Sequence, residues 1–260
     1  MDSSVYREIA APLPRSALRV RLGVRWHTLK RHIKWLTGGY DFGKCSQKRL
    51  EHVHFAHESP LLRHLAGVSP HLEQNKVKNL EVCVPRVHGL ILLPGQSFSF
   101  WKSIGKPSRF RGFVEGVVLK DGQFAQGVGG GLCHLSGFIY WMTLHTPLSV
   151  TERHRHAYDT TPTKFFGADA TCFYNYKDLM VKNNTKQPFQ LIIEIGSDTL
   201  TGAWASDCPP VYSYELYERA GELREKTRHN HVYRRVFELE SGVQVADEFV
   251  AENHAFVMKV

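Results

Sequence analysis

The chain has 260 residues, of which 42% are hydrophobic and 12% aromatic, which is enough for a substantial core and excludes extensive disorder. The net charge of +8 belongs to the N-terminal region: residues 1–50 hold eleven Lys and Arg against three Asp and Glu, whereas the remainder holds 22 of each sign. There is no secretory h-region and no apolar run of about 18 residues, so neither a cleaved signal nor a membrane-spanning helix is expected.

The first predicted element is a basic amphipathic helix over residues 15–36, which ends before Gly38. Its basic residues alternate with apolar ones that include Trp26 and Trp35. Such a helix suits an anionic membrane surface, and peripheral membrane contact through this segment is one interpretation. Packing on the domain and a solvated basic arm are the alternatives. No nucleic-acid partner is expected, because no DNA- or RNA-binding signature accompanies the charge.

Three further elements are predicted in the next part of the chain. Asn75 is a candidate cap for a helix over residues 76–87. A short buried strand follows at residues 90–93, and Phe98 and Phe100 then alternate with serines as in a half-buried strand.

The stretch from Gly127 to Pro147 places three consecutive glycines almost directly before Cys133. The apolar segment behind them is too short to cross a membrane and has no polar stripe, which predicts a buried central helix. Cys133 would lie in its first turn, where free N–H groups and the helix dipole favour a thiolate. A small buried cysteine behind a glycine-rich loop is the alternative interpretation.

After Pro147 the pattern changes to strands, with β-rich segments at 168–176 and 189–195 and a β-meander towards the C-terminus. The sequence therefore predicts an α+β fold in which the buried central helix packs on a mainly antiparallel sheet. Three regions are expected: a basic helical N-terminal region (1–74), a core domain (75–205) and a β-rich C-terminal extension (206–260).

Cys133, His154, His156 and Asp169 follow one another in an order that suits a thiol enzyme. A thiolate nucleophile needs a histidine within hydrogen-bond reach and a carboxylate that orients the ring. In an extended segment the two histidines point to the same face, so either is a candidate base, with Asp169 as the orienting residue. This is the arrangement of papain-like and transglutaminase-like enzymes, so a core of that kind is a hypothesis for the fold.

The same residues admit other uses. Cys133, His154 and His156 are suitable zinc ligands with one position left open for water, and purely structural histidines are a third option. We assign no metal ligand and no cofactor. The five cysteines are odd in number and widely spread, which predicts free thiols in a reducing compartment. The expected location is the cytoplasm, including the inner face of the membrane.

Between about residues 75 and 195 the chain resembles the VanW family, named for an accessory protein of some vancomycin-resistance clusters. The resemblance rests on these residues and motifs: Asn79, PGQSFSF at 94–100, GVGGGLCHLS at 127–136, Tyr140, ERHRH at 152–156, GADA at 167–170 and the Asp178–Thr185 segment. His134 differs from the family motif, which commonly has Gln there, so a papain-like glutamine in the oxyanion site is not expected.

The association of that family with resistance clusters implies a substrate from the cell envelope. The leading hypothesis is thiol-dependent acyl transfer or amide hydrolysis on a small peptide or glycan of the cell-envelope, peptidoglycan-related, pathway. A non-catalytic peptide- or glycan-binding or scaffolding protein at the inner membrane surface is the alternative, followed by the zinc site. The predicted binding residues are Phe98, Phe100, Trp101, Gly129, Gly130, Gly131, Glu152 and Arg153.

Overall fold

A computed structural model describes residues 16–62, 68–120, 123–156, 158–159, 169–224 and 227–257. The described helices are α1 (Ala17–Thr37), α2 (Pro70–Cys83), α3 (Phe100–Ile104) and α4 (Cys133–Leu144). The described strands are β1 (Lys44–Cys45), β2 (His52–Pro60), β3 (Leu90–Leu92), β4 (Ser97–Ser99), β5 (Glu115–Lys120), β6 (Gln123–Val128), β7 (Ser149–Glu152), β8 (Tyr158–Asp159), β9 (Met180–Lys182), β10 (Phe189–Ile195), β11 (Thr199–Ser206), β12 (Tyr212–Arg224), β13 (Thr227–Glu238) and β14 (Gln244–Val257).

The main sheet has five strands in the order β1-β3-β10-β11-β2, all paired antiparallel. Helix α4 packs against β11 and β2 of this sheet. The close approach of α4 to β11 requires a glycine at position 202, because a Cβ there would lie 2.6 Å from the ring of Phe138 in α4. The indole N–H of Trp204 donates to the hydroxyl of Thr143 over 3.1 Å. The predicted buried central helix on an antiparallel sheet is therefore confirmed.

Two smaller sheets lie in the middle of the chain, and a larger one ends it. Strands β4, β9 and β7 form a three-stranded sheet, and β5 and β6 form a hairpin that leads towards α4. Strands β12, β13 and β14 form the predicted C-terminal meander, with β8 added in parallel to β14. The mixture of helices with mainly antiparallel strands is the α+β class that the sequence predicts.

The structure differs from the predicted elements in three places. Helix α2 begins at Pro70 rather than after Asn75, because Ser69 precedes a proline, which is favoured in the first helical turn. Phe100 begins α3 rather than continuing a strand, since the Ser99 hydroxyl accepts the N–H of Lys102 and caps the helix.

The segment predicted as β-rich at 168–176 is described from residue 169 onward, and there it forms a tight turn closed by a bridge between Phe173 and Lys177. Within the described ranges, no helix combines the length and the apolar character needed to cross a membrane.

Candidate active site

The glycine-rich turn joins the β5–β6 hairpin to the start of α4 and leaves no room for side chains. A Cβ at Gly130 would lie 2.1 Å from the carbonyl carbon of Gly116 in β5. Gly131 has a φ of +90°, which other residues rarely adopt, and its Cβ would clash with the Lys76 side chain. These glycines let the turn lie flat on the hairpin, so that Cys133 is the first residue of α4.

Asn79 of α2 holds this turn in place from below. Its side chain is fully buried, and its amide N–H₂ donates to the carbonyls of Gly130 at 2.9 Å and Val114 at 3.1 Å. Its oxygen accepts the N–H of Val114 at 2.9 Å. One amide therefore ties the turn to the chain just before β5. Asn79 is one of the residues that carry the family resemblance, but the sequence by itself does not indicate this supporting role.

Residues 169–172 lie between α4 and the segment that carries the histidines. The backbone N–H of Thr171 donates to the carbonyl of His154 over 2.7 Å. On the other side, the Ser136 hydroxyl of α4 donates to the carbonyl of Ala170 over 2.6 Å. These two bonds bring three distant parts of the sequence together at the start of α4.

Cys133 is partly buried, and polar groups surround its sulfur. The Sγ atom lies 3.4 Å from the Thr171 hydroxyl and 3.9 Å from the sulfur of Cys172. The ring of His156 is also near enough to the thiol to lower its pKa. The backbone N–H of Cys133 lies in an uncapped first turn and has no acceptor within the described parts of the chain.

His156 links Cys133 to Asp169. Its Nδ1 atom hydrogen-bonds to Oδ2 of Asp169, and its backbone N–H donates to the same oxygen over 3.2 Å. Since Nδ1 is occupied by the carboxylate, Nε2 is the ring nitrogen left for the thiol. The structure thus brings three of the four predicted catalytic residues, Cys133, His156 and Asp169, together at the start of α4.

Arg153 positions the carboxylate of Asp169. Its Nε–H donates to the Asp169 carbonyl over 2.7 Å, and its Nη2 lies 3.2 Å from the carboxylate. The guanidinium lies over the ring of Tyr140 in α4, 5.0 Å from the ring centroid. Its Nη1–H donates to Asn253 of β14 over 2.6 Å, which connects the C-terminal sheet to the site. Arg153 acts here as a positioning residue.

His154, the other candidate base, contacts a different carboxylate. Its Nε2 lies 3.1 Å from the carboxylate of Glu152. That carboxylate also accepts hydrogen bonds from both terminal nitrogens of Arg31 in α1. The two histidines do not share a face as an extended segment would require, because β7 ends at Glu152 and residues 153–156 are irregular. Glu152 joins the N-terminal helix to the core.

The electrostatics of the series favour a thiolate beside an imidazolium. The hydrogen bond from Cys172 is the largest of the contacts that lower the pKa of Cys133, and the hydrogen bond and charge of His156 add to it against the opposing effect of burial. Burial by itself lowers the pKa of His156, but its contacts with Asp169 and Cys133 raise it to about 10. For Asp169 burial raises the pKa, and the contacts with His156 and Arg153 outweigh it, so that the pKa is lowered.

Cys172 is a site residue that the sequence does not distinguish from the other free thiols. It is buried, and desolvation and the neighbouring Cys133 raise its pKa well above the ordinary value. It therefore stays protonated and donates its S–H. Its role depends on the contact with Cys133, 39 residues earlier in the chain, which no local sequence pattern marks.

The predicted aromatic lining is buried rather than exposed. Phe98, Phe100 and Trp101 are 1%, 0% and 3% exposed and belong to the hydrophobic core. The indole N–H of Trp101 donates to the carbonyl of Lys177 over 2.8 Å, so this ring supports the turn after Cys172. With so little accessible surface, these three side chains cannot line a cleft.

A zinc site would require the side chains of Cys133, His154 and His156 to converge on one point. His154 instead contacts the carboxylate of Glu152. In the part of the chain that the structure describes, no group of three His, Cys, Asp or Glu side chains is arranged to hold a metal ion.

A sequence model for the family described as "VanW like protein" matches residues 75–205. The chain is 28% identical over 174 residues to a protein of Enterococcus faecalis named Vancomycin B-type resistance protein VanW, an alignment that covers 65% of this chain and 63% of that protein. It is 24% identical over 115 residues to the Bacillus subtilis protein YoaR, described as uncharacterized, covering 44% of this chain and 38% of that protein. The chain thus spans less than two thirds of either relative. No solved structure matches it.

Proposed function

The chain belongs to the VanW family, and we propose that it is a thiol-dependent enzyme in which Cys133 is the nucleophile of an acyl-transfer or amide-hydrolysis reaction. The observation that carries this proposal is the arrangement at the start of α4, where His156 hydrogen-bonds to Asp169 and lowers the pKa of the neighbouring Cys133. A nucleophile, a base and a group that orients the base are the parts such chemistry requires.

The reaction begins from the ion pair. The Cys133 thiolate attacks the carbonyl carbon of the substrate, a C–S bond forms, and the carbonyl electron pair moves to oxygen. When the tetrahedral centre collapses, the C–N bond breaks and the amine leaves with the proton of His156 Nε2. Water or an acceptor amine then attacks the thioester and gives its proton to His156, and the thiolate is released.

The start of α4 supports the developing negative charge on the oxygen. The backbone N–H of Cys133 is free of other acceptors in the described chain and lies at the positive end of the helix dipole. A donor of this kind suits a tetrahedral oxyanion. The close fit of Gly130 on Gly116 fixes the turn, so the donor does not have to reorganise during the reaction.

The proposed substrate class follows from the family rather than from the site. One relative is named as a vancomycin resistance protein, and this supports a small peptide or glycan of the cell-envelope pathway as the substrate. His154 and Glu152 are left out of the proposed chemistry, because they join α1 to the core. The non-catalytic alternative, a binding or scaffolding protein, predicts an unreactive Cys133.

The experiment is alkylation of Cys133 as a function of pH, resolved from the other cysteines by peptide mass spectrometry. A free thiol titrates near about 8.5, whereas a thiolate paired with histidine at a helix start reacts rapidly far below that value. We expect rapid reaction of Cys133 at about pH 6, with exposed Cys208 as the internal control. The same protein is then incubated with peptidoglycan-derived peptides, and a thioester on Cys133 is sought after acid quench. Slow alkylation of Cys133 in the folded protein would overturn the proposal.

A further inference from the structure

Helix α1 presents an apolar surface to solvent. Six of its apolar side chains are between 50% and 83% exposed: Leu18, Leu22, Trp26, Leu29, Ile33 and Leu36. At about 100° per residue they fall within an arc of about 80°, so they form one continuous face, called here the outer apolar face. Arg31 and Trp35, which are buried, lie on the opposite side and attach α1 to the core.

Basic side chains border the outer apolar face on both sides. Arg21 and Arg25 flank it along one edge, and Arg19 and Lys30 along the other, by the same helical geometry. Helix α1 contains no acidic residue. None of these four cations lies within ion-pair distance of a carboxylate in the described ranges, whereas Arg31 and Lys34 are paired with Glu152.

This charge pattern selects among the possible occupants. Against a second copy of α1, the flanking cations would oppose cations, which destabilises a pair of helices. An anionic lipid surface, in contrast, accepts both parts of the pattern: the apolar side chains enter the interface and the cations meet the headgroups. An exposed Trp26 suits the same boundary, where its ring is buried and its N–H stays near water.

We propose that α1 binds the surface of an anionic lipid bilayer through its outer apolar face. The helix lies in the plane of the interface, and the contact between Arg31 and Glu152 holds the folded domain against it. Glu152 directly precedes Arg153, which positions Asp169, so the candidate site is attached close to the helix that meets the lipid. The inference does not depend on any reactivity of Cys133.

The test is flotation of the full chain with vesicles of phosphatidylcholine, with and without added phosphatidylglycerol. We expect binding that needs the anionic lipid and weakens as salt screens the charges. Substitution of Leu22→Ser with Leu29→Ser, or of Arg21→Gln with Arg25→Gln, is expected to lower vesicle binding by about tenfold or more.

Two matched control variants test whether vesicle binding depends on the position of the removed side chains in α1 rather than on their chemical type. Leu239→Ser with Val243→Ser removes equally exposed apolar side chains from the β13–β14 turn. Lys48→Gln with Arg49→Gln removes two exposed cations outside α1. Both control variants are expected to bind like the unaltered chain, and circular dichroism checks that all variants fold.

Three outcomes would overturn the inference. The first is absence of binding to anionic vesicles by the folded chain, and the second is equal binding to neutral and anionic vesicles. The third is a dimer that Leu22→Ser with Leu29→Ser dissociates, without vesicle binding, since that would assign the face to a second copy. Each is independent of the alkylation of Cys133, so this inference and the proposed function can fail separately.

Discussion

The sulfur of Cys172 lies 3.9 Å from the sulfur of Cys133, and the two thiols have opposite electrostatic character. Contacts with Cys172 and His156 lower the pKa of Cys133, whereas burial and the neighbouring Cys133 raise that of Cys172. The protonated thiol of Cys172 therefore donates to the thiolate of Cys133. Papain-like chemistry would not require a second cysteine at this position.

The first prediction concerns this pair. In Cys172→Ala the strongest contact that lowers the pKa of Cys133 is lost, so the pKa of Cys133 should rise. The midpoint of the alkylation rate against pH is expected to move upward, while the reactivity on the alkaline plateau stays similar. Cys83→Ala removes another buried thiol and serves as the control. An unchanged midpoint in Cys172→Ala would show that His156 alone determines the ionisation of Cys133.

A feature of this site can be predicted from the sequence when it depends on neighbouring residues, and cannot when it depends on contacts between distant ones. The start of α4 at Cys133 is predictable, because a glycine run followed by a continuous apolar segment acts over a few residues. The choice between His154 and His156 is not, because it depends on which carboxylate each ring meets, and Glu152 is occupied by Arg31 from 121 residues earlier in the chain. The roles of Cys172 and Asn79 likewise arise only from tertiary contacts.

The burial of Phe98 and Trp101 in the core likewise could not be predicted from local sequence patterns. Alternation of Phe with Ser is typical of a half-buried strand, yet both faces of β4 are covered, and even Ser97 and Ser99 are buried. The Ser99 hydroxyl is satisfied because it donates to the buried carboxylate of Asp178 over 2.6 Å. A partner 79 residues away cannot be found from local periodicity.

The second prediction concerns stability at alkaline pH. His156 has a folded-state pKa raised to about 10, above its unfolded value near about 6.5. Its contribution to stability is therefore fully present below about pH 6.5 and is lost as pH rises through about 10. Cys133, whose folded pKa is lowered, contributes in the opposite sense until pH passes its unfolded value near about 8.5. Denaturant unfolding from about pH 9 to 10 should therefore show a decline in the free energy of unfolding, and the decline should be smaller in His156→Gln. An equal decline in both proteins would contradict this assignment.

The third prediction concerns the support of the glycine-rich turn. In Asn79→Ala the carbonyl of Gly130 and the N–H of Val114 lose their partner. Each unsatisfied buried group costs about 1–3 kcal/mol, so unfolding should show a loss of at least about 2 kcal/mol. Asn184→Ala, which removes only an exposed contact with Ser149, is the control and should be nearly neutral. A neutral Asn79→Ala would mean that the turn holds its shape without this amide.

The fourth prediction concerns the attachment of α1. Arg31→Ala removes one partner of a largely buried ion pair and leaves Lys34 as the cation paired with Glu152 in the described chain. Removing one partner of a fully buried pair costs about 3–5 kcal/mol, and the remaining Lys34 should make the loss smaller here. Hydrogen exchange should become faster in α1 and at Glu152, whereas Arg25→Ala, on the exposed side, should leave exchange in the core unchanged. If Arg31→Ala leaves exchange in α1 as slow as before, the helix is held by other contacts such as Trp35.

The fifth prediction separates the two histidines by their effect on Cys133. His156 is one of the groups that lower the pKa of Cys133, so His156→Gln removes a neighbouring positive charge and the pKa of Cys133 should rise. His154 instead contacts Glu152, so His154→Gln should leave the alkylation profile of Cys133 unchanged while it loosens α1. The profiles of both variants are compared by peptide mass spectrometry, with exposed Cys45 as the internal reference. A shift in His154→Gln as large as that in His156→Gln would contradict the separation of the two rings and return His154 to the list of candidate bases.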